Sequence, residues 1–143
     1  MPSIKDTCRA TVHIGYDGRV RKQFRGARAQ ERFDTEVAVL RHLEQQSCTF
    51  VPKLLESDSD ELVIVTSNCG NRVDNLTQAK ATSLFAELEA FGVRHEDPFA
   101  RNVTYRPQDG RFCLIDFEFA TLLDNPSVAL KPTLAPEDVV EDA

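Results

Sequence analysis

The sequence has no apolar run long enough to cross a bilayer, and its first residues, "MPSIKDTCRA", lack the apolar stretch of a secretory leader. A cytoplasmic protein is therefore expected, with no membrane partner. There is no C-x-x-C. Four cysteines (Cys8, Cys48, Cys69, Cys113) stand far apart, which argues against a zinc site and for free thiols in a reducing compartment. Aromatic residues make up only 8% and the net charge is −6, so there is no case for a nucleic-acid partner. No internal repeat is visible. What remains is 143 residues, 41% hydrophobic and 28% charged, enough for one compact domain with its own core.

The charge is unevenly spread. Residues 1–115 hold 16 basic and 16 acidic side chains, whereas residues 116–143 hold one lysine and seven acids. The body is neutral and the end acidic. Within the body, residues 19–32 carry six basic residues against one acid, a run that fits a phosphate-facing patch as well as a solvated basic face.

Alternation of Val12, Ile14 and Tyr16, then Asp17-Gly18, then Val20, Lys22 and Phe24 predicts a β-hairpin over 10–25 with a two-residue turn. In that register Tyr16 faces Arg19 and His13 faces Lys22. Lys22 shares a face with Val20 and Phe24, and an ammonium on an apolar face calls for an anion. Residues 29–46 predict a helix. Glu36, Leu40 and Leu43 form one row of it, which places Glu36 at the edge of the buried face. "FVPKLL" (50–55) predicts a short strand, "SDSD" (57–60) a turn, "ELVIVT" (61–66) a buried strand and "SNCGN" (67–71) a loop. A second amphipathic helix is predicted over 77–91, with Gly92 as its C-terminal cap. "NVTY" and "RFCLIDF" predict two strands joined by "RPQDG". From about Asn125 three prolines and many acids predict an extended or disordered tail. The order is β-β-α-β-β, loop, α, polar loop, β-β, tail, an α+β plan.

Between the second helix and the last strands lies "RHEDPFARN" (94–102), dense in polar groups. Asp97 and Asn102 share this loop, and Asp116 follows the apolar run Cys113-Leu114-Ile115. Magnesium is a hard ion that takes oxygen ligands, often one or two carboxylates plus substrate phosphates. An Asn amide oxygen and an Asp carboxylate at neighbouring hairpin ends suit it, and a second aspartate remains to accept a proton from a hydroxyl.

Here the sequence resembles the protein-kinase-like superfamily. "HEDPFARN" (95–102) fits the catalytic loop H-x-D-x-x-x-x-N, and "LIDFE" (114–118) fits the D-F-G metal loop. "VRK" (20–22) is similar to the strand bearing the phosphate-gripping lysine, and "EVAVL" (36–40) to the helix bearing its glutamate partner. The motifs occur in the family's order, over roughly residues 10–122. The resemblance implies a truncated kinase-like fold. Residues 1–66 would form a small antiparallel nucleotide-binding lobe with one helix, and 67–71 a hinge. Residues 72–125 would form a reduced second lobe of one main helix with the catalytic loop and metal-loop hairpin, and 126–143 an acidic flexible tail.

It implies roles as well. Lys22, paired with Glu36, holds the α/β-phosphates of ATP. Val20, Thr66, Ser67, Asn68 and Cys69 border the nucleotide, with the hinge backbone holding adenine. Asp97 orients or deprotonates the acceptor hydroxyl. Asn102 and Asp116 hold Mg2+, or Mn2+ in its place. His95 reads as scaffold, and Arg21 is the other phosphate contact if the register slips by one.

Three departures from the family stand out. There is no G-x-G-x-x-G, so the first strand and flap are missing or shortened to 1–9. Glu118 replaces the glycine of D-F-G, either as a further metal ligand or, in the favoured reading, pointing to solvent. The chain has no sequence after the metal loop for substrate-seating helices, and "LAPED" (134–138) matches A-P-E only by chance. The expected function is a minimal ATP-dependent phosphotransferase acting on a protein, a small molecule or its own Thr121, Ser127 or Thr133. The competing reading is a pseudokinase that binds ATP or a protein without turnover. In it a second copy or another protein covers the face left by the absent helices. A metal-dependent hydrolase on Asp97, Asn102 and Asp116 leaves Lys22 and Glu36 without a role.

Overall fold

The hairpin that carries Lys22 turns on three residues rather than two. In the computed structural model, which describes residues 3–6 (backbone only) and 9–131, Gly15 N donates to Arg19 O at 3.0 Å and Gly18 N to Gly15 O at 3.0 Å. The loop is therefore Tyr16-Asp17-Gly18. Gly18 takes a φ of 82°, the left-handed residue that closes a three-residue hairpin loop. Asp17 Oδ1 accepts from Arg19 N at 3.0 Å and stiffens the turn. The extra residue moves the register by one: Lys22 lies opposite Val12 and His13 opposite Arg21, and the expected Tyr16–Arg19 and His13–Lys22 pairs do not form. The slip leaves the alternation within the return strand intact, so Lys22 still shares its buried face with Phe24.

Around this hairpin, β2 (Ala10–Ile14) and β3 (Val20–Phe24) sit in a five-stranded antiparallel sheet with β1 (Ser3–Asp6), β4 (Leu54–Asp58) and β5 (Val63–Thr66), in the order β1-β2-β3-β5-β4. A first strand is thus present, with only residues 7–9 between it and β2. Such a connection has no room for a glycine-rich flap. β4 begins four residues later than expected and runs through Ser57-Asp58. Its turn follows, where Asp58 Oδ1 accepts from the backbone of Asp60 and Glu61 at 3.0 and 3.1 Å. Phe50 and Val51, read as strand, instead enter the core ahead of Pro52.

Helix α1 (Ala29–Gln45) buries Phe33, Val37, Val39, Leu40 and Leu43. Each fully buried aliphatic side chain of this kind contributes roughly 1.5–3 kcal/mol. Helix α2 (Gln78–Glu89) opens on Thr77, whose hydroxyl accepts from Lys80 N at 3.1 Å, and buries Ala81, Leu84, Phe85 and Leu88. It closes two residues earlier than expected, and Gly92 N reaches back to Glu89 O at 3.0 Å with φ 84°. Two small sheets follow: β6 (Asn71–Arg72), β8 (Val103–Arg106) and β9 (Arg111–Leu114) in the order β6-β8-β9, and β7 (Val93–His95) paired with β10 (Ala120–Leu122). One hydrophobic cluster runs through both helices, from Phe24 and Phe33 to Leu88, Phe117 and Leu122.

After β10 the chain turns back on itself. Leu122 N donates to Val128 O and Leu130 N to Ala120 O, both at 2.9 Å, and Leu130 is buried. Residues 125–131, read as the start of a tail, therefore extend the packed structure. The rest of the acidic end, with "LAPED" and Thr133, lies outside the described residues. Among those described, no helix is long and apolar enough to cross a membrane.

Candidate active site

Lys22 is 7% exposed and sits amid carboxylates. Its Nζ lies 3.0 Å from Glu36 Oε1, 3.4 Å from Glu118 Oε2 and 3.5 Å from Asp116 Oδ1. Burial alone would lower its pKa. The negative charges of Glu118, Glu36 and Asp116 more than reverse that, so the ammonium stays charged well above the ordinary lysine range. Burial lifts the Glu36 carboxyl above its usual value while Lys22 pulls it down. Glu36 serves two partners at once, accepting from Lys22 through Oε1 and from Phe117 N through Oε2 at 3.1 Å. One helix glutamate thereby ties β3 to the stretch that carries Asp116.

Asp116 is positioned by its backbone. Its φ of 62° puts a non-glycine residue in the left-handed region, a conformation that costs of order 1 kcal/mol and persists where neighbours enforce it. Those neighbours are Phe117, fully buried, and its N–H on Glu36. Its side chain is 39% exposed.

The polar loop is built outward from His95. The ring, 4% exposed, packs edge-on to Phe85 at 4.9 Å and against Phe117 at 5.1 Å. Its Nε2 donates to Ile115 O at 3.0 Å and its Nδ1 accepts from Asp97 N at 3.0 Å. That pattern requires the neutral tautomer. Burial holds the pKa below the ordinary value. His95 is thus the scaffold that orients Asp97, as the sequence suggests. Asn102, 3% exposed, spends its amide nitrogen on Asp97, donating to the backbone O at 2.9 Å and to Oδ2 at 3.0 Å. Its own oxygen is then left to accept. Ile115 N donates to Asn102 O at 3.0 Å, so catalytic-loop and metal-loop candidates share one hydrogen-bonded frame.

A cleft of about 510 Å³ opens beside Lys22. Val12, Ile14, Val20, Ile64 and Thr66 supply apolar walls, Ser67, Asn68 and Cys69 border it, and Lys22, Glu36 and Asp116 supply its charge. Volume and lining suit a drug-sized ligand with few but well-placed polar groups. All six cofactor-side residues singled out from the sequence line this cleft. Asp97 and Asn102 do not, standing instead on the polar loop after β7. At its rim Gly70 has φ 90°, and a Cβ there would fall 1.9 Å from Tyr105 O. Cys69 is buried, and the neighbouring Cys113 thiol together with burial pushes its own thiol far above the reactive range.

Two further residues belong to this site. Arg32 is 1% exposed and its guanidinium donates to Ala27 O at 2.8 Å, Arg9 O at 3.2 Å, Arg25 O, and Glu118 Oε2 at 3.3 Å. Glu118, 13% exposed, turns inward to Lys22 and Arg32, which overturns its solvent-facing reading. A signal existed, since Arg32 lies one turn before Glu36 on the row Glu36-Leu40-Leu43. Arg101, the second addition, donates to Asp97 Oδ1 at 2.6 Å and covers the half-exposed Phe99 ring at 5.0 Å.

The donors suit magnesium. Among the described residues no group of three or more His, Cys, Asp and Glu could cage an ion. Asp116 and the Asn102 oxygen offer one carboxylate and one amide, a set that leaves most positions to phosphate and water, as Mg2+ prefers.

No family profile matches the sequence, and no curated protein is similar to it. Among solved structures 178 chains match this one. One is the crystal structure of the Rio2 kinase-ADP/Mg2+-phosphoaspartate complex from Chaetomium thermophilum, with a TM-score of 0.57 and 16% identity. The match covers 98% of this chain and 60% of that one. The fold is therefore kinase-like, and the chain spans 60% of the length of that kinase.

Proposed function

We propose that the chain is a minimal phosphotransferase that moves the γ-phosphate of ATP to a hydroxyl. The observation that carries this reading is the buried Lys22–Glu36 pair, 3.0 Å apart, set beside Asp116 at one cleft. An ammonium charged at any physiological pH and ringed by carboxylates suits a phosphate chain that arrives with a divalent cation. In this reading residues 1–66 form the nucleotide lobe, 67–71 the hinge, and 72–125 a reduced second lobe. The Rio2 complex, which holds ADP and Mg2+, supports it by fold.

Lys22 holds phosphate oxygens, and Glu36 fixes its direction. Asn102 and Asp116 would hold Mg2+, which would supply positive charge against the charge developing on the transferred phosphate. Asp97 accepts the acceptor's proton as the hydroxyl oxygen bonds to the γ-phosphorus and the bond to the ADP oxygen breaks. Arg101, half exposed on Asp97, moves aside for that acceptor. The Rio2 complex holds a phosphoaspartate, so an aspartate of this chain is an acceptor to test beside Thr121 and Ser127.

Calorimetric titration with ADP and Mg2+ tests the site. Wild type should bind, whereas Lys22→Ala and Asp116→Asn should lose about tenfold or more in affinity, the worth of one charge-assisted contact. Wild-type affinity in both variants contradicts the assignment. A second reading, binding without turnover, is favoured by the engagement of both Asp97 oxygens, Oδ1 by Arg101 and Oδ2 by Asn102.

A further inference from the structure

At the residue after Phe117 a glycine would leave the metal loop free, yet this chain places a buried carboxylate there. Glu118 Oε2 is 3.3 Å from Arg32 and 3.4 Å from Lys22. Arg32 in turn is anchored by the carbonyls of Ala27, Arg9 and Arg25, and its guanidinium stacks 6.0 Å from the Phe24 ring. A guanidinium held by three carbonyls, with almost no solvent, has one orientation. The carboxylate that meets it is held in turn.

Three successive residues are thus pinned. Asp116 faces Lys22, Phe117 N rests on Glu36, and Glu118 is locked to Arg32. Asp116 keeps its left-handed backbone between these ties, and it is the carboxylate this site offers to a cation. Resting on the phosphotransferase reading above, we infer that Glu118 is a positioning residue. With Arg32 it forms a buried clasp between the metal loop and α1 that holds Asp116 in place for Mg2+. In this role Glu118 acts through Arg32 and not as a metal ligand: its Oε2 meets both Lys22 and Arg32, and Arg32 has no other charged partner among the described residues.

The clasp makes a separable prediction. If it fixes Asp116, its loss weakens the part of nucleotide affinity that depends on Mg2+, while the contact between Lys22 and phosphate persists. The test compares ADP affinity in Mg2+ with that in EDTA, by calorimetry, for the full chain and for Glu118→Gln and Arg32→Met. Circular dichroism confirms folding of each in EDTA. Both variants should lose about tenfold of the Mg2+ enhancement, the usual effect of removing an outer partner of a metal site, and Arg32→Met, which leaves the contact between Glu118 and Lys22 in place, should keep its metal-free ADP affinity. Arg32→Met separates the clasp from direct ligation, since it removes the anchor and leaves the Glu118 carboxylate. An unchanged or larger enhancement in Arg32→Met overturns the clasp, even if Glu118→Gln lowers it. Glu118→Gln leaves a buried guanidinium without a countercharge. Should it fail to fold, Arg32→Met, with an apolar chain in the same space, decides alone. Wild type that binds no ADP in either condition overturns the phosphotransferase reading and this role with it. Wild-type binding with unchanged ratios in the variants overturns the role only.

Discussion

At Lys22 burial and charge pull in opposite directions, and the carboxylates around it decide the outcome. Removing the ammonium by Lys22→Met strands Glu36, 4% exposed, with its backbone donor alone. Breaking one side of such a buried pair costs about 3–5 kcal/mol. Glu36→Leu should cost a comparable amount, and the double variant about 1–3 kcal/mol less than the sum, because the two residues share one interaction. Urea unfolding of the four proteins measures this, and strict additivity would show that the pair carries no coupling.

His95 gives the residue scale its pH dependence. Its folded pKa is below the unfolded value of about 6.5, so the unfolded chain takes up the proton first as pH falls. The stability is whole above about pH 6.5 and is lost below it, by at most about 1.4 kcal/mol per pH unit. The raised Glu36 carboxyl works the other way, losing stability as pH rises, so the readout is a difference. Wild type should lose more melting temperature between pH 7.5 and about pH 5.5 than His95→Gln, which keeps a donor and an acceptor but does not titrate. Parallel curves would show that the ring takes up its proton alike in the folded and unfolded chain, against the lowered pKa.

At the scale of elements, the crossing of the loop at Gly70 over β8 leaves no space for a side chain. Gly70 has φ 90° and would bring a Cβ to 1.9 Å from Tyr105 O, a backbone atom that cannot swing away. Gly70→Ala should cost at least about 2 kcal/mol by strain and displacement, seen as a lowered melting temperature. An unchanged melting temperature would mean that β6 and β8 separate freely. Elements also show where sequence reading succeeds. Both helices were legible because their apolar periods are long, and the polar cluster over 94–102 because its residues lie within a few positions of one another. The hairpin register was not, because Asp17-Gly18 serves a two-residue or a three-residue loop and only the Gly15–Arg19 pairing chooses. β6, β7 and β10 are two or three residues long, too short for a period of two to register. The helix row marks Arg32 as facing the core, but its partner Glu118 lies 86 positions away, beyond the reach of any local pattern. Glu118, expected to face solvent, turns inward because that partner comes from α1.

At the scale of the whole molecule, a single core joins the five-stranded sheet and α1 to α2 and the small sheets, and the candidate site lies where these parts meet. The likeness to the Rio2 kinase is one of fold, at 16% identity and over 60% of that chain. The chemistry therefore has to be tested on this chain's own residues, and in the proposed function Asp97 is the one that separates transfer from binding alone. The direct measurement is incubation with γ-labelled ATP and Mg2+, following both labelled product and released phosphate, for wild type beside Asp97→Ala. The account predicts label on an acceptor with wild type and a loss of about a hundredfold or more with Asp97→Ala, the scale of general base catalysis. A wild type that binds nucleotide yet yields neither label nor phosphate would contradict it and leave a binding module in its place.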